Sequence, residues 1–198
     1  MASGQRRHDT PDPGRNAAVR TVAASRFHVG APAKPGPLRE HRPLIADYAI
    51  GLAVPAEARR IAELSRDAIE DGLAWRWTPP RVLRSIQDRS TNVVVAREGG
   101  RLTGFAIMHY GEREAHVLLL AVQASRRRAG IGSALLSWLE VTARTAGIGW
   151  IRLEARSRNT VARAFYRKHG FKEIGLLAGW YGGVEDGVRL IKPLGFQV

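Results

Sequence analysis

Apolar residues recur along this chain in two rhythms, in short runs or alternations and at every third or fourth position of longer segments. The first marks strands, and the second marks helices packed by one face. Tyr48-Ala49-Ile50-Gly51-Leu52-Ala53 reads as a first strand. Pro55 then opens a helix with Ile61, Leu64, Ala68 and Ile69 on one face, and Gly72 stops it. Leu73 to Trp77 is an aromatic loop. Thr78 reads as an N-cap with Pro79 at the first helical position of a short helix through Val82, Leu83 and Ile86.

Asn92 to Arg97 is a strand, Glu98-Gly99-Gly100-Arg101 a hairpin turn, and Leu102 to Tyr110 its partner. The run from Val117 to Val122, β-branched at both ends, suits a strand covered on both faces. A helix from about Gly130 to Ala146 ends at Gly147. Trp150 to Glu154 is a strand, Asn159 to His169 a helix closed by Gly170, and Phe171 to Ala178 and Val188 to Lys192 are the last strands. The order β-α-α-β-β-β-α-β-α-β-β predicts an α/β (α+β) mixed sheet with helices on both faces.

Candidate chemistry gathers where the Val117–Val122 strand turns into the next helix, through Arg126-Arg127-Arg128-Ala129-Gly130-Ile131-Gly132-Ser133. Gly130 and Gly132 let backbone approach a ligand without a Cβ in the way. Free N–H groups at a helix start, together with the dipole, favour bound phosphate, and the arginines add positive charge. The plain alternative is an ordinary turn with a solvated basic loop. Alternation along the next strand puts Ile151 and Leu153 on one face and Trp150, Arg152 and Glu154 on the other. Asn159, Ala162 and Tyr166 fall on one side of the following helix. Taken singly, Asn159 reads as an N-cap, Glu154 as a surface acid and Tyr166 as a packing residue.

Composition narrows the class. The 198 residues suggest one ordinary domain with a tail, and 44% hydrophobic content is enough for a core. Residues 1–42 hold eight Lys/Arg against three acids with little periodicity, and read as a disordered basic tail ahead of a domain over 43–198. An organelle transit peptide and a misplaced start are the alternatives for that tail. No apolar run is long enough to span a bilayer and no secretion signal opens the chain, so no membrane partner and a cytoplasmic location are expected. With no cysteine, disulfides, thiolate metal sites and a cysteine nucleophile are excluded, and no metal is expected. The net charge of +13 implies attraction to an anionic cofactor, an acidic partner, RNA or the ribosome.

Taken together, Arg127-x-x-Gly130-x-Gly132, Leu153-Glu154 and Asn159-x-x-Ala162-x-x-Phe165-Tyr166-x-x-x-Gly170-Phe171 resemble the GNAT superfamily of acetyl-CoA-dependent N-acetyltransferases. The run Leu153 to Arg156, Asn159 to Tyr166, then Trp180-Tyr181 and Glu185-Asp186, is similar to its protein α-amino acetyltransferases, in particular the branch that acetylates the N-terminal alanine of a ribosomal protein. The resemblance implies a mixed, mostly antiparallel sheet of roughly six to seven strands with helices on both faces. It implies that backbone amides of Arg127, Arg128, Ala129, Gly130, Ile131, Gly132 and Ser133 hold the CoA pyrophosphate. The main chain of Leu120, Ala121 and Val122 would pair with the pantetheine arm, with Asn159 hydrogen-bonded to it and Ala162 alongside. Tyr166 would lie by the thioester sulfur and protonate the departing thiolate, and Glu154 would take the amine proton, directly or through water. The family commonly splays its fourth and fifth strands to admit the thioester.

These residue types suit the reaction. A free α-amine, pKa ~8, needs less help to lose its proton than a lysine, pKa ~10, so a single glutamate suffices for it. Lacking cysteine, the chain is expected to transfer the acetyl group directly in a ternary complex. Departures from the family pattern are Arg126 to Ala129, which leave the 3′-phosphate contact unassigned, Phe165 for a common leucine, the tail, and Trp75-Arg76-Trp77. By the resemblance, the last falls where the family builds acceptor specificity; its plain reading is core aromatics at a helix–helix corner. The acceptor stays open between a protein N-terminus, a lysine, a polyamine, an aminoglycoside or another small amine. Among rival readings, a dinucleotide fold lacks its third glycine, with Leu135 in that place, and a P-loop lacks Gly-Lys-Ser/Thr. A basic RNA- or ribosome-binding protein without catalysis has the charge but no recognised RNA-binding motif.

Overall fold

The computed structural model describes residues 48–195; the expected tail over 1–42 and the expected domain start at residue 43 lie outside the described residues. The elements are β1 (Ala49–Leu52), α1 (Ala58–Ala68), α2 (Pro79–Gln87), β2 (Thr91–Glu98), β3 (Arg101–Tyr110), β4 (Glu114–Val122), α3 (Ile131–Thr145), β5 (Trp150–Arg156), α4 (Thr160–Lys168), β6 (Lys172–Tyr181) and β7 (Glu185–Pro193). Their order is the expected one. No described helix is long and apolar enough to cross a membrane.

All seven strands form one sheet in the order β1-β2-β3-β4-β5-β7-β6. Neighbours are antiparallel except β4 and β5, the pair joined by a helix because a parallel pair needs a long crossover. Alternation sends Val94, Ala96, Ala106 and Met108 to one face, where they pack with Leu135, Leu136 and Leu139 of α3 and Tyr166 of α4. Val93, Val95, Phe105 and Ile107 go to the other face, with Ile61 and Ala62 of α1 and Val82 of α2. The β2–β3 turn is the predicted one: Gly99 and Gly100 both have positive φ, the conformation that matches strand twist in a two-residue hairpin.

Local differences from expectation have local causes. The segment opened by Pro55 is first a 3-10 turn (Pro55–Glu57), and the helix ends at Ala68, ahead of Gly72. Thr78 holds the N-cap position, yet its hydroxyl makes no capping bond; Pro79 and Pro80 carry no N–H, which leaves Arg81 as the first amide it could cap. β4 starts at Glu114, three residues before its apolar run, because Glu114 and His116 lie in the polar phase of an alternation with buried Ala115 and Val117.

One register shift shapes the centre of the sheet. Ile107 pairs with Leu119 and Met108 with Val117, so Leu118 is an extra residue on β4. A bulge bends and twists its strand. On the other edge, β4 pairs with β5 only from Glu114 to Val117, against Trp150 to Leu153. β4 nevertheless runs on to Val122 and β5 to Arg156. The two central strands part at the bulge and leave a V between them.

Candidate active site

The turn after β4 lies at one arm of this V. Past Val122 the chain makes a short 3-10 turn (Ala124–Arg126), and Arg128 and Gly130 adopt positive φ of 65° and 81° before α3 begins. Gly130 takes that conformation without strain; for Arg128 it is a strained, uncommon state. The first helical bond is Ala134 N–H to Gly130 O, so the amides ahead of it have no partner within the helix. Arg127 N–H makes a long 3.4 Å bond to Ala124 O, which leaves the amides from Arg128 to Ser133 as the freer set. Arg126 is tied back to Glu98 in an ion pair, whereas Arg127 and Arg128 are exposed. The Ile131 side chain is buried in the core, so only its main chain faces this turn. Leu120 and Val122 pack toward α3, and Ala121 packs toward α1 and α2.

α4 closes on the same turn. A Cβ at Gly132 would lie 3.5 Å from the Phe165 ring and 3.7 Å from Val122, and Ser133 Oγ is 3.0 Å from His169 Nε2. Asn159 caps α4, its Oδ1 accepting Ala162 N–H at 3.0 Å. The plain reading of Asn159 therefore holds, and its amide NH₂ has no partner among the described residues. Tyr166 is buried between Phe165 and Phe171, edge to face with both. Its hydroxyl has no hydrogen-bond partner among the described residues, and it is not among the sealed, unpartnered atoms. Burial, with Tyr181 nearby, pushes this phenol well above its ordinary pKa.

Glu154 lies on the opposite face of β5, at the other arm of the V. Its side chain is only 5% exposed. His116 Nε2 is 2.6 Å from Oε2, and Oε1 accepts Arg189 Nε–H at 2.8 Å and Arg152 Nη1–H at 3.1 Å. Burial alone would raise this carboxylate, but the bond and charge of His116, the Arg189 bond and the Arg152 charge outweigh it and hold the pKa at about 2. Tyr181 Oη donates to the Glu154 carbonyl at 3.1 Å; burial first, then the Glu154 charge, pushes that phenol to about 12.

The α1–α2 loop and the β6–β7 hairpin flank this side. Arg156 Nη2 donates to the carbonyls of Ile69 and Asp71, and its Nη1 pairs with Glu185. Within the loop the buried Glu70 carboxylate accepts Ser65 Oγ–H and the amides of Arg76 and Trp77. The two tryptophans divide: Trp77 is 9% exposed and belongs to the core, whereas Trp75 is 39% exposed. The core reading fits Trp77 only. Sequence reasoning missed His116, Arg189 and Glu70. His116 had one signal, its polar phase beside Val117, while Glu70, a single acid two residues before Gly72, had none.

The sequence and the fold have known counterparts. The family model of the acetyltransferase (GNAT) domain matches residues 89–173. The uncharacterized N-acetyltransferase MJ1530 of Methanocaldococcus jannaschii is 36% identical over 99 residues, which are 50% of this chain and 64% of that protein. The N-alpha-acetyltransferase RimI of Mycobacterium tuberculosis is 34% identical over 137 residues, 67% of this chain and 83% of its own length. The crystal structure of the ribosomal-protein-S18-alanine N-acetyltransferase from Escherichia coli superposes with a TM-score of 0.66 at 24% identity, over 76% of this chain and 98% of that one. This chain belongs to the GNAT acetyltransferase family.

Proposed function

We propose that this protein transfers the acetyl group of acetyl-CoA to a primary amine in a ternary complex, and that its acceptor is the α-amine of a protein N-terminus. The observation that carries the reading is the V between β4 and β5, which starts where Val117 pairs with Leu153 and has a turn of free amides beyond one arm. A pyrophosphate suits those amides, which a helix start aligns for anions. The unpaired β4 edge from Leu118 to Val122 offers main-chain groups to an amide-bearing arm, as a sheet edge offers them to an added strand. Similarity to an N-alpha-acetyltransferase supports the α-amine as acceptor.

Each side chain then has a task. Tyr166 stays protonated because its pKa is raised, so its hydroxyl donates a hydrogen bond to the thiolate as the C–S bond breaks. Complete transfer of that proton to a thiolate of ordinary pKa ~8.5 is uphill, and the phenol acts chiefly as a fixed donor. Glu154 supplies negative charge on the acceptor side. With pKa about 2 and both oxygens engaged, it is a weak base, so its main task is to orient its partners. No cysteine is present to carry an acetyl group, so the amine attacks the thioester directly.

Titration calorimetry with CoA and mass-spectrometric profiling of N-termini and lysines acetylated by the purified protein test the proposal. Heat on mixing and acetylated N-termini are expected. No heat and no product overturn the enzyme reading, and products confined to lysines or small amines overturn the acceptor.

A further inference from the structure

The V divides the sheet into two parts. α1 and α2 pack on β2, β3 and β4, with Ile69 and Leu118 against the same core. β5 and β7 form the other part, and the β6–β7 hairpin belongs to it. Ile151, Leu153 and Ala155 face α3 and α4, so alternation turns Glu154 and Arg156 to the opposite face, the side of α1 and α2. Arg156 lies two residues beyond Glu154, about 7 Å along β5. Its Nη2 donates to Ile69 O at 2.6 Å and to Asp71 O at 2.8 Å. Ile69 is the C-cap of α1 and Asp71 follows it, a place where carbonyls lack helical partners and a cation is favoured. Nη1 pairs with Glu185 of the hairpin at 3.4 Å, and the guanidinium lies 5.7 Å from the centre of the Tyr181 ring. Among the described residues, no other hydrogen bond joins the α1–α2 loop to β5, β7 or the hairpin. The link is half-buried, its side chain 22% exposed against 6% for Glu185.

We propose that Arg156 is a positioning residue for the acceptor: it bridges the two halves of the sheet across the mouth of the V, on the side opposite α3 and α4, and fixes the gap through which the acceptor reaches the thioester. This assignment rests on the acetyl-transfer reading above. The amide turn and Tyr166 belong to the α3 and α4 side, so the acceptor enters from the other side, between the α1–α2 loop and the hairpin. The Arg156 side chain bonds to both. A guanidinium holds two carbonyls and a carboxylate at once because its N–H groups form a planar fork, which an ammonium lacks. Without it the loop keeps its Glu70 bonds and its packing on β2 to β4. What it loses is a fixed distance from β5. An acceptor long enough to touch both walls therefore depends on Arg156 more than a minimal amine does.

The test uses the full chain with acetyl-CoA and two sets of acceptors that carry the same α-amines: synthetic peptides with free Ala, Ser or Gly N-termini, and alaninamide, serinamide and glycinamide. Arg156→Ala should raise the KM of the peptides about tenfold and lower the ratio of kcat/KM for peptide over matching amide by a similar factor. CoA affinity by calorimetry should stay within about threefold, which separates a lost acceptor wall from a lost fold. Arg156→Lys keeps the cation but not the fork, so it should show the same change at a smaller size and decides the matter where the alanine variant fails to fold. Glu185→Gln combined with Arg156→Ala should cost less than the sum of the two, because the pair shares one link. An unchanged ratio in both Arg156 variants overturns the assignment. So does a parallel loss on peptide, amide and CoA, which would assign Arg156 to the fold alone, and so does a wild type that takes the amides as readily as the peptides. Each of these leaves the acetyltransferase reading standing, whereas a wild type that binds no CoA and acetylates neither set overturns both.

Discussion

Gly132 faces Phe165 so closely that a Cβ on the glycine would sit 3.5 Å from the ring, in ordinary contact and without overlap. The pair joins the start of α3 to α4, and the amide turn to the helix that carries Tyr166. Adding one methyl group therefore separates fold from ligand approach. Gly132→Ala should keep or slightly raise stability, by about 1 kcal/mol or less, since alanine favours a helix. Gly132→Glu should abolish CoA binding by filling the anion position. Calorimetry and thermal unfolding measure both, and retained affinity in the glutamate variant would move the phosphate site elsewhere.

Tyr166→Phe removes only the hydroxyl, which makes no hydrogen bond among the described residues. Stability should stay within about 0.5 kcal/mol, and acetyl-CoA affinity should be unchanged, while kcat falls by about tenfold or more. Because the phenol is pushed upward by burial, its ionisation should leave no alkaline limb below pH ~10. Undiminished turnover would end its role as donor to sulfur.

Glu154 links the site to stability against acid. Its folded pKa of about 2 lies below the ordinary 4.5, so the unfolded chain binds its proton first. The stabilisation is complete above the unfolded pKa and fades as pH falls toward 2. Glu154→Gln should cost on the order of 3 kcal/mol at neutral pH, because it leaves the half-buried Arg152 and Arg189 without their shared carboxylate. The gap between variant and wild type should narrow between about pH 4.5 and 2. Thermal unfolding across that range measures it, and a constant gap contradicts the depressed pKa.

Glu70→Ala strips the α1–α2 loop of the carboxylate that holds the amides of Arg76 and Trp77. The expected cost is about 1–3 kcal/mol. If this loop borders the acceptor, KM for the peptide should rise while affinity for CoA does not. Steady-state kinetics with each substrate varied resolves the two, and an equal loss in both would assign Glu70 to the fold alone.

Much of this protein was legible in its sequence. Element order came from periodicity, and the glycine turn, Tyr166 and Glu154 stood out as candidates through residue spacing that resembles a family. Each of these is a local property: a helix face repeats within a few residues, and Gly99-Gly100 dictates its own turn. Even the N-cap role of Asn159 follows from its reach to Ala162, three residues on.

Partnership across the sheet was not legible. His116 and Glu154 are 38 residues apart, and they meet because the register of β4 against β5 brings them together. The parting of those strands depends on Leu118 being left over in pairing with β3, which no count along a single strand reveals. The sequence by itself determined which segments are strands and helices and which residue types stand at their ends, because those choices depend on neighbours in the chain. Only the tertiary structure decided that Glu154 is a saturated, strongly acidic carboxylate and that half-buried His116 is its partner, because charge and burial are set by groups that strand register brings from distant segments.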